Sequence, residues 1–263
     1  MIVVSDISVF IGSRRIVQDA SFEANAGEVT AIVGPNGSGK TTLMRALAGD
    51  LRYDGRITLN GHRLETLKTW QMAAMRAILP QSTNLAFPFT VREIVKLGLT
   101  GGRSGAAEHE LARLPEKALE RVDLTGFGGR FYQELSGGEQ QRVQLARVLC
   151  QVWRPVLDRQ PRFLFLDEPV SSLDIKHQLI IMDIARTFAS EGGGVIAILH
   201  DLNLTSMYAD RVIVMNDGRV DCVGTPTEAL TDARIRRVYD CNLKVSTLPT
   251  DQRPFILPQS AIL

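Results

Sequence analysis

Gly34, Pro35, Asn36, Gly37, Ser38, Gly39, Lys40, Thr41 and Thr42 run as GPNGSGKTT between two segments of opposite character. Before them, Val29–Val33 (VTAIV) is apolar and β-branched, the composition of a buried strand. After them, Thr41–Ala48 reads as a helix, with Leu43 and Leu47 at i, i+4 and Gly49 just past its end. A strand, a glycine-rich turn closing on Gly-Lys-Thr and a helix together make a phosphate loop. The glycines let successive backbone N–H groups converge on phosphate oxygens, and the helix N-terminus adds partial positive charge. Lys40 is placed to reach the β- and γ-phosphates, and the Thr41 hydroxyl to coordinate Mg²⁺. A glycine-rich turn that merely caps a helix is the competing reading. The flanking strand and helix, with Lys-Thr in register, speak against it, so a nucleoside triphosphate site is expected here.

Around this segment the chain is β-rich at first. VVSDISVF (3–10), SFEAN (21–25) and EVTAIV (28–33) read as strands, with Asn25–Glu28 as a turn. Asp54-Gly55 and Asn60-Gly61 are turn signals on either side of RITLN (56–60). From about 85 to 150 the apolar period is helical, broken at Gly101–Gly105 and Gly126–Gly129. Strand signals return at Phe163–Leu166, Val195–Leu199 and Arg211–Met215. Alternating strands and helices imply an α/β fold on a mainly parallel sheet. The helical stretch interrupts that alternation and reads as an insert.

Composition removes several classes of function. Among 263 residues, 30 Lys+Arg against 29 Asp+Glu give a net charge of +1, so there is no basic excess for a nucleic-acid backbone. Hydrophobic residues at 44% and charged residues at 22% exclude wholesale disorder. No apolar run approaches the ~18–20 residues that span a bilayer, and MIVVSDISVF lacks a basic start and a cleavage site. Cys150, Cys222 and Cys241 form no CxxC, and reduced thiols are expected. His62, His109, His177 and His200 show no zinc spacing.

Two further segments carry chemistry. Phe163-Leu-Phe-Leu-Asp-Glu-Pro169 is a buried strand from whose C-terminal end two carboxylates emerge, where ligands sit in open α/β sheets. Asp167 suits the Mg²⁺ shell, and Glu168 suits a general base that polarises the attacking water. Leu135-Ser-Gly-Gly-Glu-Gln-Gln-Arg142 reads as a capping box between Ser136 and Glu139. Gly137 and Gly138 cost about 1 kcal/mol each in helix propensity, which a mere cap does not require. Bare N–H groups at a helix start form an anion site.

Together GPNGSGKTT, LSGGEQQR, FLFLDEP, Ser171-Ser-Leu-Asp174 and His200 make the chain resemble the nucleotide-binding subunit of an ATP-binding cassette (ABC) transporter, in the family's order and over nearly the whole length. The resemblance implies a P-loop NTPase ABC cassette: a RecA-like core with a β-rich N-terminal part and an inserted α-helical subdomain. It makes 1–263 a single nucleotide-binding domain, with the core and tail at about 1–84 and 151–263 and the helical signature subdomain at about 85–150. It further implies a head-to-tail dimer binding two ATP with Mg²⁺. Each ATP would lie between one subunit's phosphate loop and the partner's Ser136, Gly137, Gly138 and Glu139. By the same resemblance Gln81, 41 positions after Lys40, contacts Mg²⁺ or the attacking water. Asp174 crosses the dimer interface, although a helix N-cap is the plain reading of an acid there. His200 bonds the γ-phosphate and aligns Glu168, while the plain reading of a lone histidine is a satisfied core residue. The early aromatic that stacks on adenine is missing from its counted position, Ile11; Phe10 beside it has the π-face and is the expected substitute.

Only 53 residues separate Gln81 from Leu135, which leaves no room for a long coiled-coil insert. No membrane helices are fused on, so a separate permease dimer is implied. The tail Gly224-Thr-Pro-Thr-Glu-Ala-Leu-Thr with Val238-Tyr239 is similar to subunits that import haem, siderophores or cobalamin. Leu85–Gly98 and Cys150–Arg162 are similar to haem-importer ATPases. The implied place is the cytoplasmic face of a bacterial inner membrane. There the chain would be peripheral, touching the membrane only through the permease and a periplasmic haem-binding protein only indirectly. No nucleic acid is expected as a partner. The alternatives are a siderophore or cobalamin importer, a lipid or drug exporter with a separate permease, and a soluble ATP switch without one. Phe87 and Phe89 read equally as a groove for a permease helix and as core of the insert.

Overall fold

The computed structural model describes residues 1–81, 87–101, 103–249 and 254–261. The chain begins with β1 (Ile2–Ile11), β2 (Arg14–Ala24) and β3 (Val29–Val33), then α1 (Lys40–Leu47). The hairpin β4 (Asp54–Leu59) and β5 (His62–Arg63) precedes α2 (Thr69–Met75) and β6 (Arg76–Leu79). Then come α3 (Val91–Thr100), α4 (Glu108–Leu111), α5 (Leu114–Arg121) and α6 (Gly137–Gln151). A small hairpin, β7 (Val156–Leu157) and β8 (Gln160–Pro161), leads into β9 (Phe163–Asp167), α7 (Ile175–Ser190), β10 (Gly194–Ile198) and α8 (Leu202–Tyr208). β11 (Arg211–Asn216), β12 (Arg219–Gly224), α9 (Pro226–Ala229) and α10 (Asp232–Tyr239) follow.

The main sheet has the order β12-β11-β3-β10-β9-β6 and is parallel except for β12, which runs antiparallel to β11. A second sheet, β2-β1-β4-β5, is antiparallel. Because strand side chains alternate in direction, each central strand feeds two cores. Ile32, Phe163, Phe165, Ile196, Ile198, Ile213 and Met215 pack with β1, β4 and α1. Val29, Ala31, Val33, Leu164, Leu166, Val195, Ala197, Val212 and Val214 pack with α3, α5, α6, α7 and α8. The main sheet thus divides the molecule, and the inserted helices share their core with one of its faces. Among the described residues no helix is long and apolar enough to cross a membrane.

Two local expectations are corrected. The strand expected at 21–25 begins at Arg14, because pairing with β1 from Ile2↔Ala24 to Ile11↔Arg14 holds even its polar half in the sheet. Asp54-Gly55 is not a turn before a strand. It opens β4, where Asp54 pairs with Ser8 and Gly55, at φ 99, lies against the Asp6 carbonyl. Asp6 also has positive φ, 53, and the register shifts between Ser5 and Ser8, so the dipeptide marks an irregularity in the ladder. Asn60-Gly61 does form the expected two-residue hairpin turn, with φ of 51 and 82 and Leu59 paired to His62. Leu85 and Ala86, which open the stretch Leu85–Gly98, lie outside the described residues.

Candidate nucleotide site

The phosphate loop leaves β3 at Val33 and enters α1 at Lys40. A side chain on Gly34 (φ 147) would collide with the Met215 carbonyl of β11, so glycine is required where the loop turns. Gly39 (φ 96) is the N-cap of α1 and offers no side-chain cap, which leaves the first N–H groups of the helix to a ligand. Lys40 is buried, and its Nζ donates to the Gly34 and Pro35 carbonyls, each at 2.9 Å. Burial lowers its pKa, opposed by the nearby charges of Glu168 and Asp167.

β9 delivers the carboxylates. Asp167 is buried, and its pKa is pushed up to about 6, chiefly by burial and then by the charge of Glu168. Lys40, His200 and a hydrogen bond with the Thr41 side chain oppose that rise. Asp167 Oδ1 and Ser38 Oγ are buried without a hydrogen-bond partner among the described residues. An orphaned carboxylate oxygen beside a threonine hydroxyl is a hard oxygen-donor set, so these residues fit a divalent cation such as Mg²⁺.

Glu168 stands in the left-handed region at φ 52, just past the end of β9. Its carboxylate is gripped from both sides: His200 Nε2 is 2.7 Å from Oε1, and Gln81 Nε2 donates to Oε2 at 2.9 Å. The strand order explains the meeting. Gln81 follows β6, Glu168 follows β9, His200 follows β10 and the phosphate loop follows β3, four neighbours in the sheet. Parallel strands bring their C-terminal ends to one edge.

The start of α6 forms a second cluster. Ser136 Oγ accepts the Glu139 N–H at 3.3 Å, while Glu139 Oε2 accepts the Ser136 N–H at 2.8 Å and its hydroxyl at 2.7 Å. This is the expected capping box. A Cβ on Gly137 would meet open space, whereas one on Gly138 would come within 3.0 Å of Leu173 Cδ2. Gly137 therefore leaves the helix start accessible, and Gly138 lets the loop before Asp174 pack onto it. Asp174 is the N-cap of α7, accepting the His177 N–H at 2.9 Å.

Phe10 lies elsewhere. It lines a cavity of about 590 Å³ with Leu51, Tyr53, Leu64, Leu67 and Met72, and no residue of the phosphate loop shares those walls. Register shifts at Ile7/Val9 and Val9/Phe10 decide which face each side chain takes. Two residues to which the sequence gave no role hold the Glu168 backbone: Gln141 Nε2 and Ser171 Oγ donate to its carbonyl at 3.0 and 3.2 Å. Gln141 sits inside LSGGEQQR, so its signal was present in a polar residue on the face of α6 turned towards β9.

The chain belongs to the ABC transporter family, whose model matches residues 17–171. It is an ATP-binding subunit. Full-length relatives include the hemin import ATP-binding protein HmuV of Mesorhizobium japonicum, 67% identical over 100% of both chains. The protein of the same name from Chelativorans sp. is 60% identical, again over 100% of both. Among solved structures, an ATP-binding subunit of an ABC transporter superposes with a TM-score of 0.76 at 24% identity, over 92% of this chain and 94% of that one. A dimeric bacterial ABC transporter cassette gives 0.74 at 24% identity, covering 86% and 99%. At these identities the two structures speak for the fold alone.

Proposed function

We propose that the chain is the ATP-hydrolysing subunit of a bacterial haem importer, working as a head-to-tail dimer on a separate permease dimer at the cytoplasmic face of the inner membrane. The observation that carries the catalytic half is Glu168, held between His200 and Gln81 beside the phosphate loop. Full-length identity of 67% to a hemin import ATP-binding protein supports the cargo. Haem would reach the system through a periplasmic binding protein that this subunit meets only through the permease.

In this reading Gly34–Thr42 wraps the ATP phosphates, and Lys40 exchanges its carbonyl partners for phosphate oxygens. Thr41, Asp167 and Gln81 would hold Mg²⁺, which supplies neutralisation of phosphate charge when bound. Glu168 takes the proton of the attacking water through the carboxylate that His200 and Gln81 orient. The helix start at Ser136–Glu139 serves the partner's ATP, where Gly137 puts no side chain in the way. Closure is linked to ATP, which contacts both subunits only in the closed dimer. We divide the domain at about 84 and 150 into the core and the helical part that contacts the permease.

The test is to tag the chain in its native host, purify it from detergent-solubilised membranes and measure ATPase stimulation by cargo-loaded binding proteins. A co-purifying polytopic permease with haem-dependent stimulation is expected. Stimulation by a siderophore or cobalamin complex instead would overturn haem, and recovery without any permease would overturn the transporter.

A further inference from the structure

We propose that His177 is a positioning residue that fastens the Asp174 loop to the helical part of the same chain through Asp123. The inference rests on the reading above in placing Asp174 at the dimer face, and it adds what holds that loop.

Capping α7 requires only the His177 backbone N–H, yet the His177 ring also serves the cap. Nδ1 lies 2.8 Å from the same Asp174 Oδ1 that accepts the backbone N–H at 2.9 Å. On the ring's other side Nε2 faces Asp123 Oδ2 at 3.5 Å. Both ring nitrogens thus face carboxylates. The side chain is 19% exposed, against 68% for neighbouring Lys176 and 67% for Asp174, so it is the inner member of the bridge.

Asp123 belongs to the helical part and is itself fixed. It follows α5 at φ 57, and its carbonyl receives Arg142 Nη1 at 2.8 Å. The same nitrogen donates to the Val122 carbonyl at 3.0 Å, and Arg142 is a buried residue of α6. Lys176 Nζ completes the Asp123 carboxylate at 2.7 Å. The charged groups facing the ring are therefore Asp174, Asp123 and Lys176, with Arg142 behind them.

A connected path runs from α6 through Arg142, Asp123 and His177 to Asp174. The α6 start already touches the same loop where Gly138 meets Leu173. Two attachments prevent rotation where one would allow it. The signature Ser136 and the loop aspartate Asp174 then face the partner subunit as one body, and neither attachment involves Lys40 or Glu168.

The test compares H177Q, D123N and the double variant in the full-length chain; Asn suits the left-handed position of Asp123. Each single change is expected to lower kcat about 5-fold, with the double no worse than either single. Nucleotide affinity of the single subunit should stay unchanged. Hydrogen exchange of the 170–178 amides should rise in D123N, whose substituted residue lies outside that segment. Unaltered exchange in D123N overturns the bridge, whatever the ATPase result. Raised exchange with unaltered kcat, additive losses, or a matching loss of nucleotide affinity overturns the positioning role. A wild-type chain that hydrolyses no ATP sinks the function proposed above, while the exchange measurement still decides the bridge.

Discussion

Glu168 has its carboxylate gripped by His200 and Gln81 and its carbonyl gripped by Gln141 and Ser171, so its orientation is fixed before any water arrives. Glu168→Gln keeps the size and removes the base. Single-turnover ATP hydrolysis should fall by about 10²–10⁴-fold while nucleotide affinity holds, and near-normal turnover would refute the assignment. Asp167 gives a pH signature whose sign follows from its raised pKa. Between the ordinary carboxylate value of 3.8 and about 6 the folded chain binds more protons than the unfolded chain, so stability falls as pH rises through this window. Asp167→Asn should therefore raise the Tm of the nucleotide-free protein by a few degrees at pH 7.5 and leave it unchanged below pH ~4, as scanning calorimetry can check. Gln81 came from the family resemblance, whereas Glu168 and His200 were legible because each follows a strand that the sequence marked, and Lys40 because it closes a glycine-rich turn. Phe10 was not, because bulges that no single residue announces set the face of β1.

At the scale of elements, the structure separates the two phenylalanines that the sequence left equal. Phe87 is 69% exposed, whereas Phe89 packs against the core. Both belong to a strap joined to the segment before the signature: Gln133 Nε2 donates to the Phe87 carbonyl at 2.6 Å and the Tyr132 N–H to the Phe89 carbonyl at 2.9 Å. A push on Phe87 has a short path to Ser136. Phe87→Ala should weaken recovery of the permease in detergent pull-downs and leave ATP binding by the isolated subunit intact; loss of both would indicate misfolding. The helical insert depends on one close approach. A Cβ on Gly98 of α3 would collide with the Arg147 carbonyl of α6 and stand 3.0 Å from Cys150 Cβ. Gly98→Ala should cost about 2 kcal/mol, visible as a lower urea midpoint. The helical period of this insert and the Ser136 cap were readable in the sequence. The hairpin β7–β8 was not, since its turn residues Asp158 and Arg159 adopt φ of 51 and 63 without the usual glycine signal.

For the whole molecule, the parallel sheet and its helical insert followed from the alternation of apolar runs, but the division into two cores needed the strand order. On the proposed reading, the closed form is a pair of chains. Glu168→Gln with ATP and Mg²⁺ should elute as a dimer in gel filtration and return to monomer when nucleotide is removed; an unchanging monomer would speak against the head-to-tail arrangement. The row of strand ends has one more consequence, which concerns chain length. Gln81, Glu168, His200 and Gly34 follow the ends of adjacent strands, with Ile198 paired to both Asp167 and Ile32. Surface turns away from the phosphate loop, the α6 start and the Asp174 loop can lengthen or shorten without moving this edge. One residue added inside Phe163–Asp167 would exchange the directions of Asp167 and Glu168 and dismantle the site in a single step. Insertions and deletions in this chain therefore divide into two kinds: neutral ones in turns away from the site, and lethal ones of a single residue in the strands or the site loops.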